Sequence, residues 1–75
     1  MDKIDWADLV TQLIRAGYTE EGIADHVSTT QPTIHYLKTG KTKEAKYSTG
    51  AGIIRLCSLN GISITHKKAS ATTNS

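Results

Sequence analysis

Between Gln31 and Lys46 the chain concentrates side chains that exchange hydrogen bonds or carry positive charge. Gln31, Thr33, His35, Tyr36, Thr39 and Thr42 are interleaved there with Lys38, Lys41, Lys43 and Lys46. Amide, hydroxyl and imidazole groups can bond the edges of base pairs, and ammonium groups can neutralise phosphates, so the chemistry on offer is nucleic-acid recognition. Bond-making chemistry is not on offer. The chain has no paired carboxylates, no nucleophile with a base beside it and no Gly-rich phosphate cradle, so an enzyme is not expected. His26, His35 and His66 lack ligand-like spacing and the single Cys57 is far from them in sequence. No metal or other cofactor is therefore expected.

The elements that must position these groups follow from the apolar spacing. Ile23, Ala24 and Val27 give one short helix an apolar face, with Ala24 small enough for another helix to approach closely. Ile34 and Leu37 give a second helix its own inward face. Ser28, Thr29 and Thr30 between them favour turns and caps over helix interiors, which ends the first helix and starts the next. With Thr30 as N-cap, Gln31 and Pro32 fall in the first turn, where proline is tolerated. The spacing predicts a helix over residues 31–39 that presents Gln31, Pro32, Thr33, His35, Tyr36 and Thr39 outward, a helix-turn-helix placing them in a major groove. For Tyr36 a half-buried structural role is the alternative.

Charge is divided along the chain. Residues 1–30 hold two cations against six carboxylates, a net charge of −4, and residues 31–75 hold seven cations against Glu44 alone, a net charge of +6. Lys38, Lys41, Lys43 and Lys46 fall within nine residues, beside the expected groove-reading helix. Neutralising phosphates releases condensed counterions and supplies most non-specific affinity, so this half is the expected binding half.

Elsewhere, Trp6, Leu9, Val10, Leu13 and Ile14 predict an amphipathic helix from Asp5 to Ala16. Asp2, Asp5 and Asp8 lie at its positive end, Arg15 in its last turn, and Gly17 after it. Thr19 is the expected cap of the next helix, whose first turn holds Glu20 and Glu21 and is weakened by Gly22. After Gly40 the segment GKTKEAK reads as an exposed loop. Ser48 or Thr49 would cap a fourth helix running to about Leu59, with Gly50 and Gly52 weakening its first turn. Residues Ile62 to Lys68 fit a short strand or a fifth helix. The expected fold is all-α, a compact domain of four to five helices over residues 1–66, with a disordered polar tail over residues 67–75.

At 75 residues the chain makes one domain with a marginal core, for which a partner chain is the natural supplement. Cys57 is expected to be a small buried hydrophobe in a reducing compartment. No apolar stretch approaches a membrane span and MDKIDWAD is not a signal peptide, so a soluble, cytoplasmic protein is expected.

From Val27 to Lys46, VSTTQPTIHYLKTGKTKEAK is similar to the recognition helix and following loop of lambdoid phage repressor amino-terminal domains and the small Cro proteins. Ala24, Thr29-Thr30-Gln31, Ile34, Leu37 and the Gly-Lys-Thr-Lys after the helix stand where that family has them, and looser similarity runs from about Trp6 to Ile64. The departures are Ser28, where the family's turn usually holds Gly, Thr29, where it has Val, and Pro32, where a base-reading side chain is common. The resemblance implies a lambda-repressor-like domain in which Gln31 reads an adenine edge, and Lys41, Lys43 and Lys46 contact phosphates or the minor groove. Together, base reading is expected from Gln31, Pro32, Thr33, His35 and Tyr36. Backbone contacts are expected from Thr19, Glu20, Thr30, Lys38, Thr39, Lys41, Thr42, Lys43 and Lys46. The implied function is a Cro-like transcriptional repressor from a phage or prophage, a homodimer at least on double-stranded DNA. The competing class is a protein-interaction module on the same scaffold, docking through the acidic first helix.

Overall fold

The computed structural model of the protein describes residues 3–67. Four helices make up almost all of its regular structure, α1 (Trp6–Arg15), α2 (Glu20–His26), α3 (Gln31–Thr39) and α4 (Tyr47–Leu59). Two strands of two residues close the chain on itself. β1 (Lys3–Ile4) pairs antiparallel with β2 (His66–Lys67), setting Ile4 opposite His66 and Lys3 opposite Lys67. The segment after Gly61 therefore ends in a strand, not a fifth helix, and the pairing extends to Lys67, one residue past the expected domain end. Residues 1–2 and, of the tail expected over 67–75, all but Lys67 lie outside the described residues.

Each helix end is made by local chemistry. The Asp5 carboxylate accepts from the Asp8 N–H at 3.2 Å and caps α1. At the other end Gly17, with φ +114°, lets its own N–H reach the carbonyl of Ile14 and the N–H of Tyr18 reach that of Leu13. That double bond pattern closes the helix with a left-handed residue. Thr19 caps α2 through its hydroxyl, which accepts from the Gly22 N–H at 2.9 Å. The end of α2 repeats the pattern of α1 with Ser28, φ +59°, in the glycine position, so that the Thr29 N–H reaches Ala24 and the Ser28 N–H reaches Asp25.

Thr30 stands at the N-cap position expected of it, without a side-chain cap bond, and the expected cap of α4 is corrected. Thr30 holds the extended backbone of an N-cap, but its hydroxyl bonds that of Thr33 at 2.9 Å and no backbone N–H. Helix α4 starts at Tyr47 with Lys46 as N-cap, ahead of Ser48 and Thr49, and the Gly50 N–H bonds the Lys46 carbonyl at 2.8 Å. Thr49 is turned inward instead, where it is buried.

The core is a single cluster to which every helix contributes. Leu9, Val10 and Leu13 of α1 meet Ile23 and Ala24 of α2, Val27 at its end, Ile34 and Leu37 of α3, and Ile53, Leu56 and Cys57 of α4. Helix α1 touches all three other helices, whereas α3 and α4 share no contact. Both Gly50 and Gly52 serve α4 by what they lack. A Cβ on Gly50 would lie 2.9 Å from the Trp6 ring, and one on Gly52 would lie 2.8 Å from Val27. The glycines that weaken this helix locally are what let it seat on α1 and α2. Cys57 is fully buried, and burial, with the charge of Asp8 second, pushes its thiol pKa up. It is a core hydrophobe.

Candidate nucleic-acid interface

Helix α3 is anchored on one side only. Ile34 and Leu37 are buried, and the helix carries Gln31, Pro32, His35, Tyr36 and Thr39 exposed on the rest of its surface, with Thr33 half-buried and its hydroxyl on that of Thr30. Tyr36 is 40% exposed, which sets it among the outward groups and apart from the buried pair. Gln31 and Pro32 occupy the first turn, and Gly40, with φ +82°, closes the helix by a bond from its N–H to the Leu37 carbonyl. The chain then doubles back, and the Thr42 N–H bonds the Tyr36 carbonyl at 3.1 Å. Thr39 turns its hydroxyl onto the same carbonyl at 3.3 Å.

A single carboxylate organises the exposed face. Gln31, His35 and Lys38 are one, two and three turns along α3, and all three converge on Glu20, the first residue of α2. Lys38 Nζ lies 2.8 Å from Glu20 Oε2, His35 Nδ1 3.1 Å from the same oxygen, and the Gln31 amide donates to Oε1. The Lys38 hydrogen bond, followed by that of His35, holds the Glu20 carboxyl at about pH 2, down from 4.5; partial burial opposes them and Gln31 adds to them. The acid fixes the Gln31 side chain while leaving its second amide hydrogen and its carbonyl oxygen free, as a bidentate contact with an adenine edge requires.

The loop after α3 carries the cations. Lys41 reaches back over the Tyr36 ring, 4.8 Å from its centroid, close enough for a cation–π contact. Lys43 and Lys46 are exposed and form no ion pair among the described residues. Thr19 is committed to its cap. The structure thus gathers Glu20, Gln31, His35 and Lys38 into one network and leaves Lys41, Thr42, Lys43 and Lys46 on the adjoining loop. Sequence reasoning missed the network. Its signal was the i, i+4, i+7 spacing of Gln31, His35 and Lys38, but that they face the start of α2 is set by how the two helices cross.

The acidic residues of α1 are largely used within the fold. Asp5 caps the helix, and Asp8 accepts from Gln12 at 2.7 Å and from the Thr65 hydroxyl at 2.6 Å.

No protein-family model matches the chain, and comparison with curated proteins and with solved structures finds no match either. No helix among the described residues is long and apolar enough to cross a membrane.

Proposed function

We propose that the chain is a sequence-specific double-stranded DNA-binding regulator of transcription, with α2, the turn at Ser28 and α3 acting as a helix-turn-helix. The observation that carries this reading is the one-sided anchoring of α3. Its apolar residues are sunk between α1 and α2 while its hydrogen-bonding residues face outward, beside a loop of three exposed lysines. In this reading α3 lies in the major groove. Gln31, held by Glu20, reads an adenine, Pro32 offers a thymine methyl apolar contact, and Thr33, His35 and Tyr36 face neighbouring base edges. Lys41, Lys43 and Lys46 contact phosphates, as do Thr39 and Thr42 at the end of the helix. One such helix reads only a few base pairs, so useful specificity calls for a symmetric dimer on a palindromic operator, and occlusion of a promoter is the simplest mode of action. The resemblance to Cro proteins points the same way. A protein-docking role through α1 is less well supported, because Asp5 and Asp8 are bonded within the fold.

Two substitutions test the assignment together. Gln31→Ala should cost about 1–3 kcal/mol on the preferred site and relax discrimination at one base position. Lys43→Ala should weaken all duplexes alike and flatten the salt dependence by about one phosphate contact. Equal loss on preferred and random DNA for Gln31→Ala would contradict the base-reading role. An unchanged salt slope for Lys43→Ala would contradict the phosphate contact.

A further inference from the structure

The outer face of α4 carries a pattern that reading DNA does not use. Tyr47, Ala51, Ile54 and Ser58 succeed one another at alternating separations of four and three residues, which on a helix forms one seam and is the spacing that paired helices repeat. Tyr47 is 92% exposed, and Leu59 at the edge of the seam is 76% exposed. Ile4, Trp6 and Ala45 wall an open apolar groove beside it, in which Arg55 is the sole charged side chain. Because α3 and α4 do not touch, this face can be covered while α3 stays free.

We propose that this face pairs with a second copy of the chain, α4 against α4 in antiparallel orientation. Residue sizes along the seam argue for both the occupant and the direction. Bulky and small residues alternate, so with the two-fold axis between Gly52 and Ile53, Tyr47 falls opposite Ser58 of the partner subunit and Ile54 opposite Ala51 of the partner subunit. Each large side chain then meets a small one, as close packing requires. A parallel pair would set Tyr47 on Tyr47 and Ile54 on Ile54 and leave gaps between them. A self-complementary patch of this kind closes under two-fold symmetry.

The area fits a reversible pair. A buried Tyr removes about 150–250 Å² from water, and adding Ile54, Leu59 and the Trp6 edge brings the contact to roughly 500 Å² per subunit. A standard interface buries about 800 Å² per subunit, so the contact sits at the small end of specific interfaces and the pair is a weak, reversible one in free solution, which a palindromic duplex would favour further. The pairing supplies the dimer that the proposed function calls for, and rests on that reading for this consequence alone.

Sedimentation of the full chain from about 10 µM to about 1 mM tests the pairing without DNA. The average mass should climb from 8.1 kDa toward twice that value, while Ala51→Arg, which puts a long cation on an exposed position of the seam, should remain monomeric with an unchanged helical signal. The second test sets direction. In an oxidised equimolar mixture of Tyr47→Cys and Ser58→Cys chains, the mixed disulfide should exceed either homodimer several-fold, buried Cys57 taking no part. A chain that stays monomeric with no mixed cross-link, an Ala51→Arg variant that associates like the parent, or dominant Tyr47→Cys homodimers would each overturn the proposal. Binding of a single half-site is read separately, so failure of pairing is distinguishable from failure of DNA reading.

Discussion

Ser28 offers the cleanest test of how the turn between α2 and α3 is held. It has φ +59°, a left-handed backbone that crowds the Cβ of an L-residue against its own carbonyl at a cost of about 1–2 kcal/mol. Ser28→Gly removes that cost. The gain is partly offset because glycine loses about 0.5–1 kcal/mol more conformational freedom on folding, so net stabilisation should be about 0.5–1 kcal/mol. For a domain of this size the melting temperature should rise by roughly 2–8 °C. The two bonds that close α2, from the N–H groups of Ser28 and Thr29, involve backbone only and survive the change. The crossing of α2 and α3 should then be preserved, and DNA affinity should stay within about twofold, well under 1 kcal/mol. Thermal and urea unfolding followed by circular dichroism would measure the effect, with Ser28→Ala as a control that keeps the Cβ. A Gly variant no more stable than the parent, or an Ala variant that gains as much as Gly, would refute the reasoning.

Three further expectations come from the same geometry. The depressed Glu20 pKa makes its stabilising contribution complete above about pH 4.5 and lost as pH falls through about 2. The stability difference between the parent and Glu20→Gln should be flat above pH 4.5 and vanish between 4.5 and 2; melts over that range would show it, and a constant difference would deny the ion-pair origin. In the proposed binding mode Glu20→Gln removes a negative charge beside the DNA and frees Lys38, so binding to random duplexes should tighten several-fold in a salt titration. Gly52→Ala should lower stability by about 1–3 kcal/mol despite the better helix propensity, because its Cβ would come within 2.8 Å of Val27, and Val27→Ala should relieve part of that clash in the double variant.

What was legible in the sequence was local. The 3.6-residue spacing of Trp6, Leu9, Val10 and Leu13, the Thr19 cap, Pro32 in a first turn and the Gly17 and Gly40 closures are decided by neighbours within a turn or two, and the structure has α1, α2 and α3 within a residue of those expectations. What was not legible depended on distant partners. Ile62 to Lys68 could not be assigned because a strand of two residues exists only through its pairing with Lys3 and Ile4. The purpose of Gly50 and Gly52 lies in Trp6 and Val27, far away in sequence. Glu20 illustrates the same limit at the candidate site. Its place at the start of α2 was plain, but its grip on Gln31, His35 and Lys38 arises only when two helices cross. The cap of α4 falls at Lys46 and not at Ser48 or Thr49 because the angle at which the backbone enters the helix, not the residue type, sets where it starts.

The central claim is that α3 reads DNA sequence. The most direct measurement is selection of duplexes from a random pool by the full chain at near-physiological salt, followed by sequencing of the retained molecules. The account predicts enrichment of a two-fold symmetric motif whose half-sites are one helical turn apart, about 10 base pairs centre to centre, with a base position that loses its preference in Gln31→Ala. Retention of duplexes without any enriched motif, or of none at all, would contradict it.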